Sequence, residues 1–520
     1  MWPTLFFMEG RRKIWLAITA GLLLGLASAW LRFQALAQTP YANGWDGYFY
    51  LVQVKAWVET GRMHSPEASL IYPLLRFFYW CTGDYVLMYQ CCAAALAGAF
   101  AAVVAWTARS WAQGWLLGGW ALFSPHLTYF AAQYPKNLLG MVLLLAFIGS
   151  LPRQAAQQRP ARFILPFILL VVNYFGHRLT FGLAMVYLLC WTMVSVKTLF
   201  WRRIFNRKNI AVGAVAIGLF VAASSVFPGL LHVADLGRLA GGWQWRPQFA
   251  PWSFISQLGE GRLSNWWWGE IVVITGLFLF AWTKTIWDTR RGAVASSSAK
   301  HYALLLLCIL LLFPFLEWSF TGVAYRFFLG FVLLVPGIFG EGGVARNGTS
   351  LRQPAIWWRY VAGTLLGLAA FFSWKSYVPT KHDPNYALFD RITSRATERL
   401  GLGSTQPPEL VIAHNALAEY FTFTTDVDAM PWLPEYAIDS ARLWRMAGGM
   451  HLPTVRYFAG AGQAARVQPL STGYCLLPEW VWQRSLAQAR IEGDSVYLAL
   501  ATSWLNPGRE RPGWLLNKKR

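Results

Sequence analysis

Residues 86–106 read Val-Leu-Met-Tyr-Gln-Cys-Cys-Ala-Ala-Ala-Leu-Ala-Gly-Ala-Phe-Ala-Ala-Val-Val-Ala-Trp, a run without a single charged side chain. A helix of about 20 apolar residues crosses the hydrocarbon core of a bilayer. Of the 520 residues in the chain, 56% are hydrophobic and 13% are charged, whereas a soluble domain has about 25% charged residues. The sequence therefore predicts an all-α polytopic membrane protein.

Similar apolar segments recur along the chain and together predict about eleven transmembrane helices. They lie near 14–31, 86–106, 112–131, 137–151, 163–175, 179–199, 210–231, 269–287, 302–316, 323–340 and 356–374.

The net charge of +21 is concentrated in alternate loops between these segments. The basic residues include Arg11, Arg12, Lys13, Arg153, Arg159, Arg162, Lys197, Arg202, Arg203, Arg207, Lys208, Arg290, Arg291, Lys300, Arg346, Arg352 and Arg359. Positive loops face the cytoplasm, so we expect a cytoplasmic N-terminus and an extracytoplasmic C-terminus in a bacterial-type inner membrane. The charge then reflects topology, and no nucleic-acid partner is expected.

Three outward segments are large enough to carry a site: the first loop, a second loop at 232–268 that ends in Trp266-Trp267-Trp268, and the chain after residue 374. The first outward loop, 32–85, contains a predicted interfacial helix at 48–60 that ends at Gly61. After residue 375 the composition becomes ordinary, so 376–520 is predicted to be a small extracytoplasmic α/β domain, with Leu410–Ala413 as a strand before a helix. Residues 1–375 form the predicted transmembrane catalytic module.

The first loop contains Gly44-Trp45-Asp46-Gly47-Tyr48-Phe49-Tyr50, an acidic residue among aromatic residues. Asp46 has two interpretations: it caps the following helix, or it serves as a catalytic base or a metal ligand. If a metal takes part, we expect Mg²⁺ or Mn²⁺ at Asp46. Trp45 and Tyr48 are predicted to pack against a sugar.

Cations occur in three other outward turns. His177 and Arg178 lie between two predicted spans, and Lys136 follows Pro135 at the start of another. Arginine suits bidentate phosphate binding, and a helix N-terminus beginning at Pro135 favours the same ligand. The alternatives are an arginine that reaches lipid headgroups and a lysine that anchors the span.

Glu317 and Arg326 bracket a later outward turn. They either form an ion pair, or Glu317 contacts an acceptor or a metal while Arg326 binds an anion. Arg326 enters an otherwise uncharged span, where a charge is costly without an anionic partner.

The acid and the cations share one predicted face, and the chain has no Walker or Rossmann motif for a soluble nucleotide. This combination favours transfer from a lipid-linked phosphate donor: the base activates the acceptor and the cations hold the phosphate. The predicted partners are a polyprenyl-phosphate sugar, the bilayer, and a glycan, lipid or protein acceptor.

The sequence resembles the GT-C superfamily of polytopic glycosyltransferases, which includes oligosaccharyltransferase catalytic subunits and protein mannosyltransferases. Three motifs are similar to segments of that superfamily: Trp45-Asp46-Gly47-Tyr48-Phe49, Ile71-Tyr72-Pro73-Leu74 and Ala324-Tyr325-Arg326-Phe327. The resemblance implies that Asp46 is the catalytic base or a metal ligand and that Arg326 contacts the donor phosphate. It implies an inverting transfer to an extracytoplasmic hydroxyl.

Two departures limit what the resemblance implies. The second acidic motif would lie near 128–137, where Gln133-Tyr134-Pro135-Lys136-Asn137 has no carboxylate, so a metal requirement does not carry over. The tail lacks the WWD motif, so a monosaccharide transferase is expected instead of an asparagine glycosylation enzyme. Two alternatives remain: a polysaccharide ligase or polymerase that uses a polyprenyl-linked donor, and a transporter of lipid or sugar.

Overall fold

A computed structural model gives the fold of the chain. It describes residues 2–64, 67–108, 111–151, 163–195, 267–290, 299–313, 323–340, 354–375, 386–387, 389–390, 393–394, 410–426, 429–432, 457–458, 466–467, 473–478 and 514–518. The chain divides into two compact units. The first consists of Met1–Thr39, Ala68–Phe78 and Gln90–His382, and the second of Pro40–Glu67, Tyr79–Tyr89 and Asp383–Arg520.

Helices dominate the described residues. They are α1 (Trp2–Leu36), α2 (Gly47–Thr60), α3 (Ile71–Thr82), α4 (Tyr85–Thr107), α5 (Trp111–Phe123), α6 (Pro125–Gln133), α7 (Pro135–Ser150), α8 (Ile164–Gly176), α9 (Arg178–Ser195), α10 (Trp267–Arg290), α11 (Ala299–Leu312), α12 (Val323–Gly340), α13 (Pro354–Lys375) and α14 (Asn415–Thr425).

The helices follow the apolar segments of the sequence, and the protein is a multi-pass membrane protein. Three described stretches are long and apolar enough to cross a bilayer, namely Ile18–Leu36, Tyr85–Thr107 and Gly269–Trp287. Shorter apolar stretches are Pro135–Ser150, Ile164–Gly176, Arg178–Met193, Lys300–Leu312 and Arg326–Pro336. The segment predicted at 210–231 lies outside the described residues.

One predicted helix is two helices. The segment near 112–131 is broken into α5 and α6 at Ser124, because Pro125 has no amide hydrogen to continue the helical ladder. The Ser124 hydroxyl instead caps α6 by accepting a hydrogen bond from the Leu127 amide at 3.3 Å.

Small residues bring α1 and α4 close together in the first unit. A Cβ at Gly25 would lie 2.9 Å from the carbonyl oxygen of Gly98, and a Cβ at Gly21 would lie 3.2 Å from that of Ala102. Backbones that approach this closely need glycine or alanine at the contact, as is common between membrane helices.

The break between α5 and α6 is covered by Arg32 of α1, whose side chain is fully buried. Its guanidinium donates to the carbonyls of Ala121 at 2.6 Å, Leu122 at 2.8 Å and Ser124 at 3.1 Å. The carbonyls of Ala121 and Leu122 lie in the last turn of α5, where the helical ladder ends, and that of Ser124 also accepts from the Thr128 amide at the start of α6. The arginine thus satisfies polar groups that the break leaves inside the unit.

A buried polar network joins α10 to the same break. The Glu270 carboxylate accepts from the Trp120 indole at 2.5 Å and the Ser124 hydroxyl at 2.7 Å, and it contacts His126 Nδ1. Glu270 and His126 are both fully buried. The network fixes α10 against α5 and α6, a contact for which no sequence pattern is visible.

The second unit contains a mixed sheet of four strands in the order β2-β1-β5-β6. Its strands are β1 (Leu410–His414), β2 (Ala429–Trp432), β5 (Gly473–Pro478) and β6 (Trp514–Lys518), and a separate pair is formed by β3 (Tyr457–Phe458) and β4 (Arg466–Val467). The central strand β1 runs parallel to β2 and β5, and β6 is antiparallel to β5. The helix α14 connects the parallel strands β1 and β2.

The first-loop helix α2 belongs to this second unit and packs against α14. The predicted end of α2 is confirmed: Gly61 has φ 74°, and its amide donates to the Trp57 carbonyl at 3.2 Å. A left-handed residue at this position is the usual glycine signal for a helix end.

Candidate active site

Asp46 occupies the N-cap position of α2, but its side chain makes no capping hydrogen bond. The backbone at Asp46 has φ −94° and ψ 1°, outside the extended range usual for a cap. A Cβ at Gly47 would come 3.0 Å from Cβ of Ala42, so glycine allows the loop to fold tightly here. The capping interpretation of the Asp46 side chain is therefore wrong.

By contrast, Asp84 shows what a capping aspartate looks like in this protein. Its carboxylate accepts from the Leu87 amide at 2.7 Å, at the start of α4. Both aspartates directly precede a helix, but only the Asp84 side chain accepts a capping hydrogen bond.

A second carboxyl group lies beside Asp46. Glu419 of α14 accepts a hydrogen bond from the Phe49 amide in the first turn of α2. Burial raises the pKa of Glu419 well above its usual value, the charge of Asp46 raises it further, and the Phe49 amide opposes both. No local pattern in the sequence marks Glu419, because its neighbour Asp46 is brought to it only by the packing of two distant helices.

Tyr48 is a core residue of the second unit. Its ring lies 4.7 Å from that of Tyr420, 5.0 Å from Tyr386 and 5.3 Å from Phe423, and it is 3% exposed. A ring enclosed in this way has no face left for a sugar, so the prediction of a sugar contact at Tyr48 is corrected. Trp45 is 43% exposed and keeps an accessible ring.

The first unit brings the predicted cations together around His177. Lys136, Arg326 and Arg178 all act electrostatically on this histidine, which lies in the turn between α8 and α9. Burial lowers the pKa of His177 well below its usual value, and the three cations lower it further. His177 is therefore a neutral hydrogen-bonding group and not the cation that the sequence suggested.

The turn that carries His177 and Arg178 is held by polar side chains at its base. The Thr180 hydroxyl donates to Asn173 Oδ1 at 2.9 Å, and the His177 amide donates to the Asn173 carbonyl at 2.9 Å. The segment before α3 attaches to the same turn, because the Leu70 amide donates to the Phe175 carbonyl at 2.8 Å.

Glycine lets α7 approach this turn. A Cβ at Gly140 would lie 2.1 Å from the Thr180 hydroxyl and 2.6 Å from Cβ of His177. Lys136 lies one helical turn before Gly140, so this close contact brings the lysine to the histidine.

Arg326 enters the cluster from α12. Its guanidinium lies 4.2 Å from the centre of the ring of Tyr134, the residue that links α6 and α7. A cation over an aromatic face is stabilised by the ring quadrupole, so this contact holds the arginine at the residue that precedes α7, the helix that carries Lys136. Glu317, the predicted acceptor or metal contact, lies outside the described residues.

The described residues contain no group of three or more His, Cys, Asp or Glu side chains arranged to hold a metal. Asp46 and Glu419 supply two carboxyl groups, both oxygen donors of the kind that Mg²⁺ and Mn²⁺ bind. A metal at Asp46 stays a prediction.

No protein-family model matches the chain, and no curated protein matches it. Its likeness is to solved structures. The chain aligns over 96% of its length with 98% of ArnT from Cupriavidus metallidurans in the apo state, with a TM-score of 0.56 and 12% identity. The structure of the same protein bound to undecaprenyl phosphate covers 95% of this chain and 97% of its own, with a TM-score of 0.50 and 12% identity. The shared property is the fold, over nearly the whole of both chains.

Proposed function

We propose that this protein, which has the fold of the GT-C superfamily of membrane glycosyltransferases, transfers a sugar from a polyprenyl-phosphate donor to an extracytoplasmic hydroxyl. The acceptor is a glycan, a lipid or a protein. The proposal rests on one observation: three cations, Lys136, Arg178 and Arg326, cluster near His177 and act on it electrostatically.

Cations in a membrane unit need an anion. Three like charges grouped around a half-buried, neutral histidine repel one another, and an anion that contacts all three relieves this repulsion. A lipid-linked phosphate brings two to four accepting oxygens to such a cluster, and arginine binds them bidentately. ArnT binds undecaprenyl phosphate, and we propose the same class of ligand for this chain.

The proposed transfer is a single displacement with inversion. The acceptor oxygen forms a bond to the anomeric carbon of the donor, while the bond from that carbon to the phosphate oxygen breaks. Asp46 takes the hydroxyl proton, and the phosphate leaves with the bonding electron pair. Arg326, Arg178 and Lys136 stabilise the charge that develops on the leaving phosphate, and preorganised charges of this kind supply the larger part of such catalysis.

His177 has a separate part in this scheme. Because it is neutral, one ring nitrogen donates a hydrogen bond to a phosphate oxygen while the other can accept. Trp45, with its exposed ring, is the proposed sugar contact. Glu317 remains a proposed contact of the acceptor or a metal.

The proposed topology follows the charge distribution of the loops. About eleven helices cross a bacterial-type inner membrane, the N-terminus is cytoplasmic, and the domain at 376–520 is extracytoplasmic. The site would then act on the outer face, where a lipid-linked donor needs no soluble nucleotide.

The test is sugar transfer, or slow donor hydrolysis, by purified protein in liposomes from a panel of radiolabelled polyprenyl-phosphate sugars. Asp46→Asn removes the proton acceptor, and we expect a loss of at least about 100-fold in turnover with an unchanged melting temperature. Asp84→Asn is the matched control: it changes a second N-cap aspartate in the same way, and asparagine caps equally well, so turnover should stay within about twofold.

Normal turnover by Asp46→Asn would contradict the role of Asp46 as the base. If the wild type releases sugar from none of the donors, the proposed function itself is wrong, and net movement of the intact lipid across the bilayer becomes the next assay.

A further inference from the structure

The first turn of α2 is capped by a group from another part of the chain. An N-cap aspartate ordinarily accepts a hydrogen bond from the amide two or three residues further on. In α2 the amide of Phe49, three residues after Asp46, donates to Glu419 instead. The carboxyl group of Glu419 thus has the position that the Asp46 side chain would take as a cap.

The pairing of α2 with α14 is fixed at both ends. At the far end, Lys55 Nζ donates to Asp426 Oδ1 at 2.5 Å and to the Phe423 carbonyl at 3.0 Å. At a rise of 1.5 Å per residue, Phe49 to Lys55 spans about 9 Å and Glu419 to Asp426 about 10.5 Å. The two helices therefore run parallel in matching register, and Glu419 reaches the start of α2 by the packing of the whole helix.

Aromatic packing holds the helices between these two contacts. Tyr48 of α2 packs on Tyr420 and Phe423 of α14, and the Tyr420 hydroxyl donates to Asp390 at 3.1 Å. Tyr48 and Tyr420 flank Phe49 and Glu419 directly in sequence. A rotation of α14 that moved Glu419 away from the Phe49 amide would therefore also break the contact between the Tyr48 and Tyr420 rings.

The charges around Glu419 favour one proton on the pair of carboxyl groups. Asp46 faces Glu419 across the start of α2, and its charge adds to burial in raising the Glu419 pKa. The other charged groups of these elements are Glu59, near the C-terminal end of α2, Lys55 and Asp426, which pair with each other at that end, and Asp390, which is bound by Tyr420. A protonated Glu419 can accept from Phe49 through its carbonyl oxygen and donate through its hydroxyl.

We propose that Glu419 is a positioning residue for Asp46. Its carboxyl group accepts the hydrogen bond of the Phe49 amide, so the Asp46 carboxylate does not cap α2. Asp46 then accepts the proton of the acceptor hydroxyl. The inference rests on the proposed function, in which Asp46 is the base. It gives the C-terminal part of the chain a direct role in preparing that base. Glu419 itself gains and loses no proton during the transfer.

Removing Glu419 should return Asp46 to the ordinary behaviour of an N-cap. In Glu419→Ala the Asp46 carboxylate accepts from the Phe49 amide, which stabilises the ionised form and lowers its pKa. We expect kcat to fall about tenfold with the KM for the lipid donor within about twofold. The acid limb of the kcat profile should move to lower pH by about one unit, the size of one hydrogen bond to a charged group.

Two further variants separate positioning from simple stabilisation. In Glu419→Gln the amide oxygen still accepts from Phe49, and the amide nitrogen donates as the protonated acid does, so kcat and the acid limb should match the wild type. Asp426→Asn removes the charge of the ion pair with Lys55 at the other end of the helix pair, and asparagine tolerates the positive φ of 57° at this residue. This control should leave the acid limb in place.

The inference is overturned if folded Glu419→Ala keeps the acid limb of the wild type, or if Glu419→Gln loses activity as the alanine variant does. If Glu419→Ala does not fold, Glu419→Asp replaces it: the shorter side chain does not reach Phe49, so the same shift of the acid limb is expected, and its absence overturns the inference. The proposed function fails separately, when wild-type protein transfers no sugar or Asp46→Asn stays active.

Discussion

At the scale of single residues, the neutral state of His177 decides how the cation cluster responds to pH. Burial comes first among the causes, followed by Lys136, Arg326 and Arg178. A fourth positive charge in this place would oppose the other three, whereas a neutral imidazole adds a hydrogen bond without adding repulsion.

This depressed pKa predicts a loss of stability in acid. Below about 6.5, the usual histidine pKa, the unfolded chain binds a proton at His177 that the folded protein does not bind, so stability falls as the pH falls from that value towards the folded pKa. His177→Gln does not titrate and should lack this contribution. Melting temperatures of both proteins in detergent, from roughly pH 5 to 8, measure it, and parallel curves for the two would contradict the prediction.

Single residues also show where sequence reasoning ends. Lys136, Arg178 and Arg326 were predictable as a group because a charge at the edge of an apolar span is rare and needs a reason. Glu419 was not predictable, since the tail contains many acidic residues in ordinary surroundings. Its importance comes from the Phe49 amide and from Asp46, neither of which is near it in sequence.

At the scale of elements, the approach of α7 to the turn between α8 and α9 depends on Gly140. An added methyl group would overlap the Thr180 hydroxyl and Cβ of His177. The turn would have to move away from α7, and Lys136 would lose its place beside His177.

Gly140→Ala is therefore expected to weaken donor binding without changing any charge. Overpacking of this kind costs about 1–3 kcal/mol, and we expect the KM for the polyprenyl-phosphate donor to rise about tenfold. Donor titration of the reconstituted protein measures the effect. Gly119→Ala is the matched control, because a Cβ there meets no atom within 4 Å and donor binding should be unchanged.

Helix positions were largely predictable and helix interruptions were not. Hydropathy marks the spans, and local signals mark their ends, as Gly61, Asp84 and Pro135 do in α2, α4 and α7. The break at Ser124 has a local signal in Pro125, but hydropathy alone does not show it, and the segment near 112–131 was predicted as one span. Its tolerance depends on Arg32, which lies in another helix, and such compensation has no local signature.

At the scale of the whole molecule, the residues proposed to bind phosphate belong to the first unit and the proposed base, Asp46, belongs to the second. The boundary predicted between residues 375 and 376 treated the first loop as part of the membrane module. In the structure that loop shares its unit with the C-terminal residues, because the aromatic residues of α2 and α14 form one core.

This division predicts the result of removing the C-terminal residues. A chain that ends at 382 keeps the cation cluster but exposes Tyr48, whose partners Tyr386, Tyr420 and Phe423 are lost, each aromatic contact being worth about 0.5–1.5 kcal/mol. We expect the shortened protein to bind polyprenyl phosphate with nearly wild-type affinity and to transfer no sugar. Binding to labelled polyprenyl phosphate and amide exchange across 47–60 are the measurements, and sugar transfer by the shortened protein would contradict the division.

The burial of Arg32 also constrains how the protein is made. Its carbonyl partners lie 89 to 92 residues further along the chain, and a ribosome adds about 5–20 residues each second. For roughly 5 to 20 seconds the first helix therefore has an arginine whose partners have not been synthesised. Arg32 lies near the C-terminal end of the stretch Ile18–Leu36, where a long cationic side chain can reach the membrane interface in the meantime. The guanidinium can reach its final environment only after α5 and α6 have been made, so the burial of Arg32 joins the assembly of the first helix to that of a later pair.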